Sequence, residues 1–283
     1  MTSYICLIIF INMRLAIIDA DSIVWITAYN CQEDPSKLEE TVDNFVTNIL
    51  KGSKADYYLG FLGSKESKAT FRHKIAVTRP YKGKRKEAPE FIKELGPKVT
   101  EILVNKYNFY VVNPEIEADD ACTICHSQTW VSIDGNLPEV INRELSMEEL
   151  AIVTNITTIL CAIDKDLQQV KGLHYNYNNH EEFYLDSDQA RKKLWMQILT
   201  GDSTDNIEGI PGIGPKKAEK ILERNKEYRY SVLNEYIDVF SLGEGVTKLA
   251  ETFELIFMLR KEKYGFTIPK VIQYDTKRSI QGN

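Results

Sequence analysis

Short apolar runs alternate with stretches of helical period along the first two thirds of the chain. Residues 15–18 are apolar and end on Asp19, the pattern of a buried parallel strand. Asp34-Pro35 then fits an N-cap and a first helical residue, and Leu38, Val42, Phe45, Val46, Ile49 and Leu50 share one helical face up to Gly52. Residues 57–62 predict a second strand, 109–112 a third, 157–163 a fourth and 175–177 a short fifth. Phe91, Leu95, Val99, Ile102 and Leu103 keep a helical period in between, with Gly96-Pro97 expected to kink or split that helix. Strands and helices in alternation predict an α/β fold, a mostly parallel central sheet with helices on both faces. After Asp188 the period is helical. Leu194 and Ile198 share a face that stops at Gly201, residues 216–224 form a second helix, and a longer one near 248–261 carries Leu249, Phe253, Ile256 and Phe257.

The polar stretch 127–156 holds Gly135, Pro138 and a capping box at Ser146 and Glu149, and reads as an insertion between core elements. The expected organisation is an extension over 1–12, an α/β catalytic domain over 13–187 and a helical region over 188–283. Residues 4–11 are apolar but too few to span a membrane, and no basic leader or small-residue cleavage site frames them as a signal peptide. Met13 offers a cleaner start, so 1–12 reads as an upstream-start extension or a mildly sticky tail. Five cysteines without framework spacing fit a reduced, intracellular chain, expected in the cytoplasm and off the membrane.

Charge changes the picture through its placement. The net charge of −6 argues only weakly against nucleic acid, because acids gathered as metal ligands would mask a basic surface. They are gathered: Glu117-Ala-Asp119-Asp120, Asp164-Lys-Asp166 and Asp202-Ser-Thr-Asp205, with Asp19 closing the first strand. Functional crevices of parallel sheets lie beyond the carboxyl ends of the strands, where Asp19, Asp164 and, a few residues on, Glu117 fall. Carboxylates this close raise one another's pKa unless a cation sits between them. Oxygen donors without matching His and Cys suit Mg²⁺ or Mn²⁺ better than zinc. Taken alone, Glu-Ala-Asp-Asp is more often an acidic first turn favoured by the helix dipole. If the helix has begun there, Glu117 and Asp120 share a face and Asp119 points elsewhere.

Between Lys65 and Lys86 stand nine Lys or Arg against one acid, Glu66, a local balance of +8. A solvated loop is the plain reading, but Phe71 and Tyr81 among the cations favour a nucleic-acid surface. Gly209-Ile-Pro-Gly212-Ile213-Gly214-Pro215-Lys216-Lys217 is a tight turn opening a helix at Pro215, whose free amides suit one phosphate of a duplex, with two lysines on the same edge. Cys122-Thr-Ile-Cys125-His126 has haem-attachment spacing, yet it falls within a predicted helix and lacks matching histidines, so buried packing is the reading. Trp130 and Trp195 read as core or interface aromatics.

From about residue 15 to about residue 222 these motifs resemble the 5′-nuclease family: bacteriophage 5′–3′ exonucleases, flap endonucleases and the 5′-nuclease domain of bacterial DNA polymerase I. Asp19, Glu117, Asp119, Asp120, Asp164, Asp166, Asp202 and Asp205 match its acids. Phe71-Arg72-His73 and Tyr81-Lys82-Gly-Lys-Arg85 match its basic arch or gateway, and Gly212-Ile213-Gly214 its helix-three-turn-helix hairpin. The resemblance implies a PIN/5′-nuclease-like α/β fold with a helical DNA-binding region. It also implies two divalent ions (Mg²⁺ or Mn²⁺), K⁺ at carbonyls near Ile210 and Ile213, and a monomer.

The implied activity is 5′–3′ exonuclease or 5′-flap endonuclease on duplex DNA or RNA–DNA primers, in phage replication within host cytoplasm, leaving a 5′-phosphate. Lys82 and Arg85 would be catalytic. Arg72, Tyr81, Lys82, Arg85, Gly212, Ile213, Gly214, Lys216 and Lys217 would bind nucleic acid, and all eight acids would hold metal. Many members carry an acid after the second strand. Here that stretch reads Leu62-Gly63-Ser64-Lys65-Glu66, which leaves a ligand vacant or makes Glu66 its substitute. A catalytically weak DNA-end-binding protein and a PIN-type ribonuclease are the alternatives, and the hairpin speaks against the second.

Overall fold

The computed structural model describes residues 13–65 and 70–275. Glu66 and the extension over 1–12 lie outside the described residues. The chain runs β1 (Arg14–Asp19), α1 (Asp21–Asn30), α2 (Leu38–Gly52), β2 (Tyr57–Leu62), α3 (Phe71–Ile75), α4 (Glu90–Tyr107), β3 (Tyr110–Val111) and α5 (Ala118–His126). There follow β4 (Trp130–Ile133), β5 (Glu139–Val140), α6 (Met147–Ile152), β6 (Val153–Cys161), β7 (Gly172–Asn176) and β8 (Glu181–Leu185). The remainder is α7 (Ser187–Thr200), β9 (Gly201–Asp202), β10 (Ile207–Glu208), α8 (Pro215–Glu223), α9 (Tyr228–Phe240), α10 (Leu242–Ile256) and β11 (Ile272–Gln273).

Strand β1 lies between β2 and β6, parallel to both, and β3 and β7 extend the parallel set outward. Its alternation shows why the sheet is buried twice. Ala16 and Ile18 face a core built with α1, α2 and α4, whereas Leu15 and Ile17 face a second core built with α5. Leu15, Ile17 and Ile18 are fully buried, worth about 1.5–3 kcal/mol each. Both faces being covered matches the expected architecture.

Four expectations change. The stretch 127–156 is no simple insertion: β4 pairs antiparallel with the first half of β6, and β5 with β4. The sheet is parallel only at its centre, since β8 and β11 also add antiparallel edges. Pro97 sits inside one continuous α4, where Leu95, Val99 and Leu103 are buried and anchor both sides of the missing hydrogen bond. The last long helix ends at Ile256, not 261. Phe257 turns extended, and the chain returns to the sheet with Leu259, Phe266 and Val271 buried in the α5-side core. A third core, including Ile198, Ile210, Ile213, Ile221, Val232 and Tyr236, unites α7 to α10.

Candidate active site

Backbone geometry delivers the acids. Asp19 is the last residue of β1 and only 2% exposed, and its carboxylate accepts the amide of Asp21 at 3.2 Å. Glu117 is the extended N-cap of α5, so the helix begins after it and Asp119 belongs to the first turn. Asp164 caps a short 3-10 turn over Lys165–Gln169 by accepting the amide of Asp166 at 2.8 Å. Asp202 and Asp205 stand on the β9–β10 turn, where the Asp202 carboxylate accepts the Thr204 amide at 2.7 Å. A pocket of about 260 Å³ is lined by Glu117, Asp119, Asp164, Asp166, Asp202 and Asp205, with Asp19 behind it.

Burial raises the Asp19 pKa to about 8, with the charges of Asp21 and Asp164 adding to it. Asp119 is held well above the carboxylate range by desolvation and then by Asp19 and Asp164. Desolvation first, then Asp164 and Asp202, lift Asp166 to about 7.

Cations face these acids. Lys82 pairs with Glu117, and Arg85 Nη2 lies 2.6 Å from Asp205 Oδ1. Lys82 holds φ 57, a left-handed conformation unusual for a residue with a side chain, and its amide donates to the Asp205 carbonyl at 2.8 Å. That strained turn aims Lys82 into the pocket. The basic stretch is therefore less free than its charge implies: Lys74 pairs with Glu115, and Arg79 with Glu208. Residues 76–89 form no helical arch.

Three predicted roles do not match the placement of the side chains. Arg72 is fully buried, donating to both Asp120 oxygens at 2.5 and 2.9 Å and to the carbonyls of Leu255 and Phe257. It reaches no nucleic acid. Asp120, also fully buried, is consumed by Arg72 and the Leu259 amide rather than offered to a metal. Glu117 and Asp120 do meet, through a reciprocal capping box and through Arg72 Nη1, but only Glu117 and Asp119 line the pocket. Tyr81 is 6% exposed, too buried to stack on a base, and its phenol lies 2.8 Å from both Glu117 Oε2 and Asp205 Oδ2. It sets the spacing of two acids from different elements.

The residue that the sequence reading missed is Asp21. It opens α1, and one carboxylate oxygen accepts the Gly63 amide at 2.8 Å. The pattern Asp19-Ala-Asp21 was its only trace, and an acid in a first helical turn is ordinary.

Away from the pocket, Gly212 takes φ +73 at the tip of the hairpin before α8, and Ile210 and Ile213 are buried beneath it. The Ile213 amide is spent on the Ile210 carbonyl at 3.1 Å. The amides of Gly212, Gly214 and Lys216 have no acceptor among the described residues, and Gly214, Lys216 and Lys217 are exposed around them. Cys122, Cys125 and His126 are buried on α5, as packing requires. Trp130 is buried with its indole donating to the Cys125 carbonyl, and Trp195 packs on Phe253.

Among the described residues no three acids, histidines or cysteines stand close enough to grip one ion as the side chains lie, and Lys82 and Arg85 are paired with Glu117 and Asp205. The chemistry of the set nonetheless fits divalent cations. Burial first and neighbouring acids second raise the pKa of Asp19, Asp119 and Asp166, a penalty that a cation among them would offset, and every donor is a hard oxygen. Among the described residues no helix is long and apolar enough to cross a membrane.

No family model matches the chain. DNA polymerase I of Bacillus subtilis is 30% identical over 202 residues, which cover 69% of this chain and 21% of that protein. A 5′-3′ exonuclease of Mycoplasma pneumoniae is 28% identical over 181 residues, 62% of this chain and 57% of that one. Flap endonuclease Xni of Shewanella halifaxensis is 27% identical over 187 residues, 62% of this chain and 63% of its own. The chain spans a quarter or less of the DNA polymerase I sequences it matches. Among solved structures, T5 5′-exonuclease with divalent metal ions (zinc) bound shares the fold, with a TM-score of 0.55, 18% identity and 87% of each chain covered.

Proposed function

The chain belongs to the 5′-nuclease family, with the 5′–3′ exonucleases, flap endonucleases and DNA polymerase I, and on that footing we propose that it hydrolyses phosphodiesters near the 5′ ends of duplex DNA with divalent metal ions. The observation that carries this reading is the meeting of six acids from three separate stretches in one pocket that also presents Lys82 and Arg85. Asp19, Glu117 and Asp119 would hold one Mg²⁺ or Mn²⁺, and Asp164, Asp166, Asp202 and Asp205 a second. Such ions supply an activated water and offset charge on the leaving 3′-oxygen, so the product keeps its 5′-phosphate.

The remaining work falls to the chain's own cations and amides. Lys82 and Arg85 now neutralise Glu117 and Asp205. Freed from those pairs, Lys82 and Arg85 would hold the scissile phosphate and stabilise the charge it gains in the transition state. The free amides of the hairpin, with Lys216 and Lys217, grip a phosphate of the duplex without reading sequence. That fixes the distance from duplex to pocket. We also assign K⁺ to carbonyls around Ile210 and Ile213, RNA–DNA primers as a second substrate, and a monomeric, cytoplasmic protein acting in DNA replication.

A duplex with a 5′ flap, labelled once at each end of the flapped strand, tests the reading on one gel. Mg²⁺-dependent cleavage near the 5′ end is expected, abolished by EDTA. Mononucleotides would mark exonuclease action and an intact released flap endonuclease action. Cleavage confined to the 3′ end or to single-stranded RNA would refute it.

A further inference from the structure

The end of β2 carries a substitution that only the packing explains. β2 lies beside β1, with Phe61 opposite Asp19, and the Ala20 amide donates to the Phe61 carbonyl at 3.0 Å. Gly63 thus arrives without a side chain against the carboxylate of Asp21, which lies within electrostatic reach of Lys82, Glu117 and Arg85. Its backbone is not in the left-handed region, so its conformation does not demand glycine. Space does: a Cβ at Gly63 would stand 2.9 Å from Asp21 Oδ2. The carboxylate of Asp21, delivered from the first turn of α1, fills the volume that a side chain on residue 63 would take.

We propose that Asp21 is a metal-binding residue of this site, supplying from α1 the carboxylate that the end of β2 lacks. The inference rests on the metal-dependent reading above. The Gly63 amide fixes Oδ1 at 2.8 Å, which leaves Oδ2 without a donor among the described residues. The Asp21 amide meanwhile steadies the carboxylate of Asp19, so the two acids are placed by one turn of backbone. An acid that served only the dipole of α1 would need neither the Gly63 anchor nor a glycine opposite it. The vacancy expected after the second strand is filled, and Glu66 is not required to fill it.

The test is Mn²⁺ binding to the full chain without DNA, followed by calorimetry and by loss of the free-ion electron spin resonance signal, with melting temperature recorded alongside. Asp21→Asn should fold as the parent does and bind Mn²⁺ about tenfold or more weakly, the scale expected when support of a metal site is removed. Asp21→Ala should lose binding in the same way, and Asp21→Ala with Gly63→Asp should regain most of it by returning the carboxylate from the neighbouring strand. Parental affinity in Asp21→Asn, or a double variant no better than Asp21→Ala, would overturn the proposal. Asp119→Asn serves as the reference. If it loses binding while Asp21→Asn does not, only the role of Asp21 falls; if neither loses binding, the metal-site reading falls with it.

Discussion

Arg72 and Asp120 belong to the matched motifs and yet do structural work. Both are completely buried, and the guanidinium ties α3 to α5 and to the end of α10. Removing one partner strands a buried charge, which costs about 3–5 kcal/mol. Arg72→Ala should lower the unfolding free energy by that amount, read as a lower urea midpoint, and Arg72→Lys should not rescue it because the bidentate fork is lost. A near-parental midpoint in Arg72→Ala would contradict the assignment. Asp119→Ala should behave oppositely, leaving the melting temperature in EDTA unchanged or raised, since it removes repulsion. Motif spacing made these acids visible but not their division of labour. That depends on tertiary partners, because Asp120 is taken up by Arg72 and the Leu259 amide while Asp119 is left facing the pocket.

Elements differ in how openly the sequence states them. Residues 57–62 are all buried and continuously apolar, and the strand falls where that run lies. β8 was missed because Glu181-Glu-Phe-Tyr-Leu185 is an edge strand with mixed exposure, and β5 is only two residues long. The hairpin before α8 was legible because its glycines, Pro215 and lysines each state a local requirement. Lys216→Ala with Lys217→Ala should weaken duplex binding and lower the slope of log affinity against log salt by up to ~2, close to one unit per lost phosphate contact. Single-turnover cleavage at saturating enzyme should hardly change. An unaltered slope would remove the hairpin from the duplex interface.

Over the whole molecule, the convergence of the acids was readable because strand ends collect in one crevice. The filling of the Gly63 space was not, since it depends on two strands and a helix at once. Nor was the return of the segment after Ile256, which sequence periodicity extends as helix. Burial first, and the convergence of the acids second, set the pH response. Asp19 at about 8 and Asp166 at about 7 bind protons more tightly folded than unfolded, as does Asp119. Stability falls with pH wherever the folded state holds the extra protons, here from the ordinary carboxylate range up to about 8. In EDTA the melting temperature should therefore drop between about pH 5 and about pH 8, and Mg²⁺ should raise it most at the upper end. A flat profile in EDTA would mean that burial and crowding do not raise these acids' pKa values.

Single-turnover cleavage of a 5′-flap duplex, measured across a Mg²⁺ titration for the parent and Asp119→Ala, bears most directly on the metal-dependent nuclease. The parent rate is expected to climb from zero in EDTA to a plateau, while Asp119→Ala, folded by its melting curve, stays without cleavage at every Mg²⁺ concentration. Parental cleavage in EDTA, or a fully active Asp119→Ala, would contradict it.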